Sequence, residues 1–154
     1  MAREARPAAS HALAPTPDAA DFIAAGRVAR LGTADRAGRP LVVPVCYAFD
    51  GTYWYSAIDD KPKRASGRTL KRVRNIEENP RVSVLIDHWD EDWRRLRYVL
   101  IQGRAQLLPP GPEHARALDL LARKYPQYAE LPLPRGGLVI RVTPESYVHW
   151  KYAA

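Results

Sequence analysis

A chain of 154 residues is sized for one domain, and 46% hydrophobic with 27% charged residues supplies a core and excludes wholesale disorder. No run approaches the roughly 18 apolar residues of a membrane helix, and a lone cysteine, Cys46, excludes an internal disulfide and a thiolate zinc cage, as in a reducing cytosol. The net charge is +7, yet seven of the 24 basic residues lie within residues 61–74, which hold no acid, so the other 17 balance the 17 acidic residues.

Residues 1–16 are Ala/Pro-rich and aperiodic and read as a mobile tail, with residues 17–154 as the folded domain. Pro7, Pro15 and Pro17 interrupt any apolar run there, so no secretory leader is expected and a cytoplasmic protein is. Thr16-Pro17-Asp18 starts a helix that runs to about Ala25 and stops at Gly26. Strands are predicted over 28–34 and 40–49, joined by a turn at 35–38, and over 52–58 after the hairpin signal Asp50-Gly51. Leu70, Val73 and Ile76 give 69–78 a narrow helical stripe, ended by Asn79-Pro80. Strands over 81–89 and 96–108 follow, joined by an acidic-aromatic loop. An amphipathic helix over 113–124 turns Ala117, Leu120 and Leu121 inward, and a last strand covers 137–143. Six strands, three helices and hairpin-length connections predict a mainly β, α+β fold. No G-x-G-x-x-G follows a strand, so a doubly wound sheet is disfavoured against an antiparallel barrel with flanking helices.

The helix at 69–78 opposes its own dipole. Lys71 and Arg72 stand in its first turn, and Glu77 and Glu78 in its last. Each misplacement costs about 0.3–1 kcal/mol, and an anion at the N-terminus would offset the cationic half. The alternative is a solvated charged face. With no acid in the window, the anion site is favoured, and one concentrated patch suits one bound anionic group better than a broad nucleic-acid surface. Pro44 removes a ladder donor inside an apolar strand, which implies an edge, bulge or seam where a flat ligand can approach Val45 and Cys46. No sequence feature brings a base to Cys46, so it reads as a buried structural thiol. The four histidines show no metal spacing, and His88 reads as making an ordinary hydrogen bond. Asp90, Glu91 and Asp92 fit a cation site or a solvated tip equally. Trp89 and Trp150 stand at strand ends, where an aromatic can border a ring pocket. Without an evident nucleophile, base pair or metal site, the chemistry is expected from a cofactor.

The run ARLGTADRAGRPLVVPVCYAFDGTYWYS resembles the opening of the pyridoxamine 5′-phosphate oxidase-like split β-barrel flavoproteins. KRVRNIEENPRVSVLID resembles that family's phosphate-binding helix, with Arg72 at its Lys position and Asn75 at its Asn, and QGRA at 102–105 resembles its strand ending in G-x-A. The segments DDKPKR and IDHWDEDWRRLRYV are similar to a subgroup that uses the deazaflavin coenzyme F420, with FMN as the alternative. The resemblance covers about residues 18–150. It implies a six-stranded antiparallel split β-barrel and a homodimer with cofactor sites at the interface. It further implies a tricyclic ring against Val45, Cys46 and Ser56, and an anionic side chain gripped by Lys61, Lys63, Lys71, Arg72 and Asn75, with Trp89 and Trp150 excluding water. Three functions follow: deazaflavin-dependent hydride transfer on a small organic substrate; FMN-dependent oxidase or flavin reductase chemistry; and a non-enzymatic anion- or nucleic-acid-binding barrel. The last ranks third because no aromatic interleaves the basic window.

Overall fold

The polypeptide commits early to short, locally encoded elements. In the computed structural model, which describes residues 13–58 and 70–152, helix α1 (Pro17–Ala25) opens with Thr16, whose hydroxyl accepts from the Ala19 N–H at 3.3 Å. Its stop at Gly26 is extended (φ −64°), so the glycine is there for space: a Cβ would run into the Tyr47 hydroxyl. Strands β1 (Ala29–Ala34) and β2 (Pro40–Val45) pair through a turn with Gly38 at φ +80°, a conformation only glycine adopts freely. Strands β3 (Ala48–Phe49) and β4 (Trp54–Ala57) form the next hairpin. Asp50 and Tyr53 close it over Gly51-Thr52, with Gly51 at φ +95°. Helix α2 (Lys71–Glu78), β5 (Arg81–His88), β6 (Arg97–Leu108), α3 (Pro112–Lys124) and β7 (Val139–Lys151) complete the chain.

The strands form one antiparallel sheet in the order β2-β1-β5-β6-β7-β4-β3. The long β6–β7 hairpin carries different neighbours at its two ends. β5 covers Arg97–Arg104 of β6, whereas β4 covers only Val139–Val142 of β7. The ladder shifts register at Gln102/Gly103, and a Cβ on Gly103 would strike the Thr143 carbonyl. The sheet therefore curls into a half-barrel, mainly β with three helices.

Two expectations need correction. Among the described residues there are seven strands, not six, because residues 40–49 break at Cys46-Tyr47. The last strand runs well past Thr143 to Lys151, since the tail pairs along β6. Inside the curl, Ile23, Leu31, Tyr47, Trp54, Ile58, Val73, Val84, Ile86, Val99, Ile101 and Ile140 are almost fully buried. Each such large side chain contributes about 1.5–3 kcal/mol. α3 covers a smaller cluster through Ala117, Leu118 and Leu121, Leu118 taking the inward position expected of Leu120, which is half-buried. Most of the expected tail lies outside the described residues, as do Lys61 and Lys63.

Candidate functional site

The break at Cys46-Tyr47 is enforced from distant parts of the chain. The Tyr47 amide donates to the Tyr125 hydroxyl at 3.1 Å, the Tyr47 hydroxyl donates to the Ile23 carbonyl, and its ring stacks on Trp54. Tyr125 in turn donates to the Arg27 carbonyl at 3.0 Å. With Val45 and Tyr47 drawn inward, Cys46 points out and its thiol is exposed, against the expectation of a buried one. The Ser56 hydroxyl, 3% exposed, donates to the Cys46 carbonyl at 2.8 Å. Val45, Cys46 and Ser56 thus gather at one strand break. Beside it the Lys124 Nζ lies 3.7 Å from the Tyr47 ring centroid, buried and, among the described residues, with no hydrogen-bond acceptor. Burial, with Arg27 alongside, lowers this amine to about 8. Burial also pushes the Tyr47 and Tyr55 phenols well above their ordinary value.

A second gathering surrounds α2. Its first turn carries Lys71 and Arg72 and no acid, its last turn no base, and its N-cap, Leu70, offers no side-chain cap. Val73 and Ile76 face the core. Asn75 is fully buried and donates to the Thr33 hydroxyl at 3.0 Å, so it holds the helix on β1. The turn between β1 and β2 meets the same helix. Asp35, its side chain 2% exposed, accepts from Ala37 N at 2.9 Å, Arg39 N at 3.0 Å and Arg39 Nε at 2.8 Å, and pairs with Lys71 Nζ at 3.4 Å. The Arg39 bonds hold its carboxyl well below the usual carboxylate range. At the far end of α2, Glu78 accepts from Arg36 N at 2.9 Å.

Trp89 and Trp150 lie elsewhere. Ser83 pairs with Gly32, beside Thr33, whereas Trp89 follows six residues later, about 20 Å along β5. At that end Trp150 stacks on Tyr98 at 5.7 Å between centroids, and Trp89 and Trp93 are 63% and 61% exposed. The loop acids there face side chains of the same loop: Asp92 pairs with Arg94 at 2.8 Å, and Asp90 faces His88 and Arg95. Among the described residues no cluster of His, Cys, Asp and Glu has the makings of a metal site. Between the two ends, the outer sheet face bears a groove of about 590 Å³ lined by Gly32, Val42, Arg81, Ser83, Gln102 and Ser146 among others. The reading from sequence missed Asp35, Arg39 and Lys124. A turn aspartate is commonplace, and no local signal says which cations will meet it.

A sequence profile for pyridoxamine 5′-phosphate oxidase matches residues 15–151. No curated protein sequence is significantly similar to the chain. Among solved structures, a conserved hypothetical protein of Mycobacterium tuberculosis superposes with a TM-score of 0.70 at 21% identity, over 92% of this chain and 88% of that one. A FAD-binding protein of Mesorhizobium loti gives 0.66 at 24% identity, over 88% and 93%. A protein described as an F420 reductase gives 0.59 at 22% identity, over 83% and 94%.

Proposed function

The chain belongs to the pyridoxamine 5′-phosphate oxidase family, and from that premise we propose that it is an oxidoreductase using the deazaflavin coenzyme F420 to transfer hydride to or from a small organic substrate. One observation carries the reading: an acid-free first turn of α2, with Lys71 and Arg72 on an uncapped helix end. That donor set fits a phosphate-bearing side chain. The exposed Cys46, at a bend whose carbonyl is held by Ser56, fits one edge of a fused ring.

When bound, the deazaflavin supplies the hydride chemistry; FMN is the alternative cofactor. The chain's own part is to bind and orient. Lys71 and Arg72, with Lys61 and Lys63, hold the anionic side chain, Val45, Cys46 and Ser56 set the ring's plane, and Asn75 fixes the helix that carries the cations. Trp89 and Trp150 exclude water and are assigned to a second copy; within one chain Val45 stands level with Ala29, four residues along β1 from Thr33, so ring and anionic side chain are spread along the strands. The sheet's outer face supports the same homodimer, for Val42 and Val148 are 63% and 46% exposed there alongside Trp150. Each copy would then lend its aromatic end to the other's cationic end.

Paired titrations with F420 and FMN, followed by fluorescence, test this. Saturable binding of F420 is expected. Lys71→Ala combined with Arg72→Ala is expected to weaken it by about 3 kcal/mol or more, since charge-assisted bonds contribute about 1.5–3 kcal/mol each. Binding of FMN alone would move the assignment to flavin chemistry, and binding of neither would end the redox reading.

A further inference from the structure

One buried carboxylate holds two cations from different elements. Asp35 is 2% exposed, and its oxygens meet the Arg39 Nε at 2.8 Å and the Lys71 Nζ at 3.4 Å, while its backbone bonds to Ala37 and Arg39 close the turn. Arg39 spends only its backbone N–H and Nε on this contact. Its side chain is 79% exposed, and its two terminal nitrogens make no hydrogen bond among the described residues. Lys71 is 45% exposed. A carboxylate whose function was only to shape the turn needs neither Lys71 nor the guanidinium. Holding Arg39 by Nε leaves the other two nitrogens as a planar fork, the geometry that suits a tetrahedral oxyanion, with a point-charge ammonium alongside.

We infer that Arg39 and Lys71 form a two-cation clamp for a phosphate ester, with Asp35 as the positioning residue that sets both. The clamp rests on the reading that this end of the molecule takes an anionic cofactor, and it adds Arg39, outside the basic window, to the groups that grip it. It also assigns the turn between β1 and β2 a part in choosing the ligand. The fork pairs two oxygens of a phosphoryl group or of a carboxylate equally well, and it is the ammonium beside it that matches the further oxygen and second charge of a phosphate.

The test titrates the intact protein with inorganic pyrophosphate by calorimetry, which needs no cofactor. Arg39→Ala is expected to weaken binding about 10- to 100-fold, the equivalent of one charge-assisted bond, in a protein that still folds but melts lower because the Asp35 carboxylate loses a partner, and Arg39→Lys to recover only part of the binding. Asp35→Asn is the discriminating variant. Removing a negative charge next to two cations tightens anion binding if charge alone matters, but weakens it if Asp35 sets the geometry, and weakening is expected. Unchanged affinity in Arg39→Ala, tighter binding in Asp35→Asn, or no pyrophosphate binding by the wild type would each overturn the clamp. Should Asp35→Asn fail to fold, the Arg39 pair decides alone. Pyrophosphate binding without F420 or FMN binding would sink the redox reading and leave the clamp standing. Cofactor binding indifferent to Arg39→Ala would do the reverse.

Discussion

The two ends of the sheet are built on different physics. At the α2 end, side chains are polar, charged and tied down: Asp35 draws in Arg39 and Lys71, Asn75 grips Thr33, and Glu78 caps the facing turn. At the other end, Trp89, Trp93 and Trp150 expose large aromatic surfaces, and the nearby ion pairs, such as Arg94 with Asp92, are solvent-screened and contribute little. On the function proposed above, the first end takes a small charged ligand and the second is covered by another copy. A single chain holds the two about 20 Å apart along β5, and the function proposed above draws the aromatic end from a second chain.

The sharpest way to break this comparison is to make the end that should be covered unfit for covering. Val148→Glu adds a carboxylate to the exposed outer face. In a two-fold dimer it appears twice in the interface, and each uncompensated charge costs several kcal/mol. If the proposed homodimer is right, light scattering should find a dimer for the wild type and a monomer for the variant, and a dimer undisturbed by the variant would place the interface elsewhere. Next in size is Gly103→Ala, at the bend of the β6–β7 hairpin that joins the ends. Its Cβ meets the Thr143 carbonyl, backbone that cannot step aside. Denaturant unfolding should show a loss of about 1–3 kcal/mol, and the absence of a loss would mean that the hairpin bends by another route.

A third test contrasts cations held by an acid with one that, among the described residues, has none. Lys124 is buried among tyrosines, its amine lowered from 10.5 to about 8. The fold therefore disfavours the protonated form. That cost is complete below about pH 8 and fades as pH rises from there to the unfolded value. Thermal melts of wild type and Lys124→Met should show the wild type gaining on the variant between pH 7 and pH 10. A constant gap would mean that the amine titrates normally.

Much of the local architecture was legible because its signals are local. Thr16-Pro17-Asp18 caps α1, Asp50-Gly51 marks the hairpin, and the Leu70-Val73-Ile76 stripe seats α2. The break at Cys46-Tyr47 was hidden because the groups that cause it, the Ile23 carbonyl and the Tyr125 hydroxyl, lie 24 and 78 residues away. The exposure of Cys46 follows from that break and was hidden with it. The length of β7 was missed for a similar reason: residues 144–151 show no clean alternation, and only pairing with β6 extends them. At the candidate site the cations of α2 were visible as a charge pattern. Asp35, which orders two of the site's charges, was not, because its partners come together only in the fold.

The most direct measurement of the two-chain claim is complementation. One variant lacks the cations (Lys71→Ala with Arg72→Ala) and the other the aromatics (Trp89→Ala with Trp150→Ala), and each alone should fail to bind F420. Co-expressed in equal amounts, half the dimers are mixed and each mixed dimer holds one intact site, so F420 titration should recover about a quarter of the wild-type sites. No recovery above the separate variants would contradict a site shared between chains.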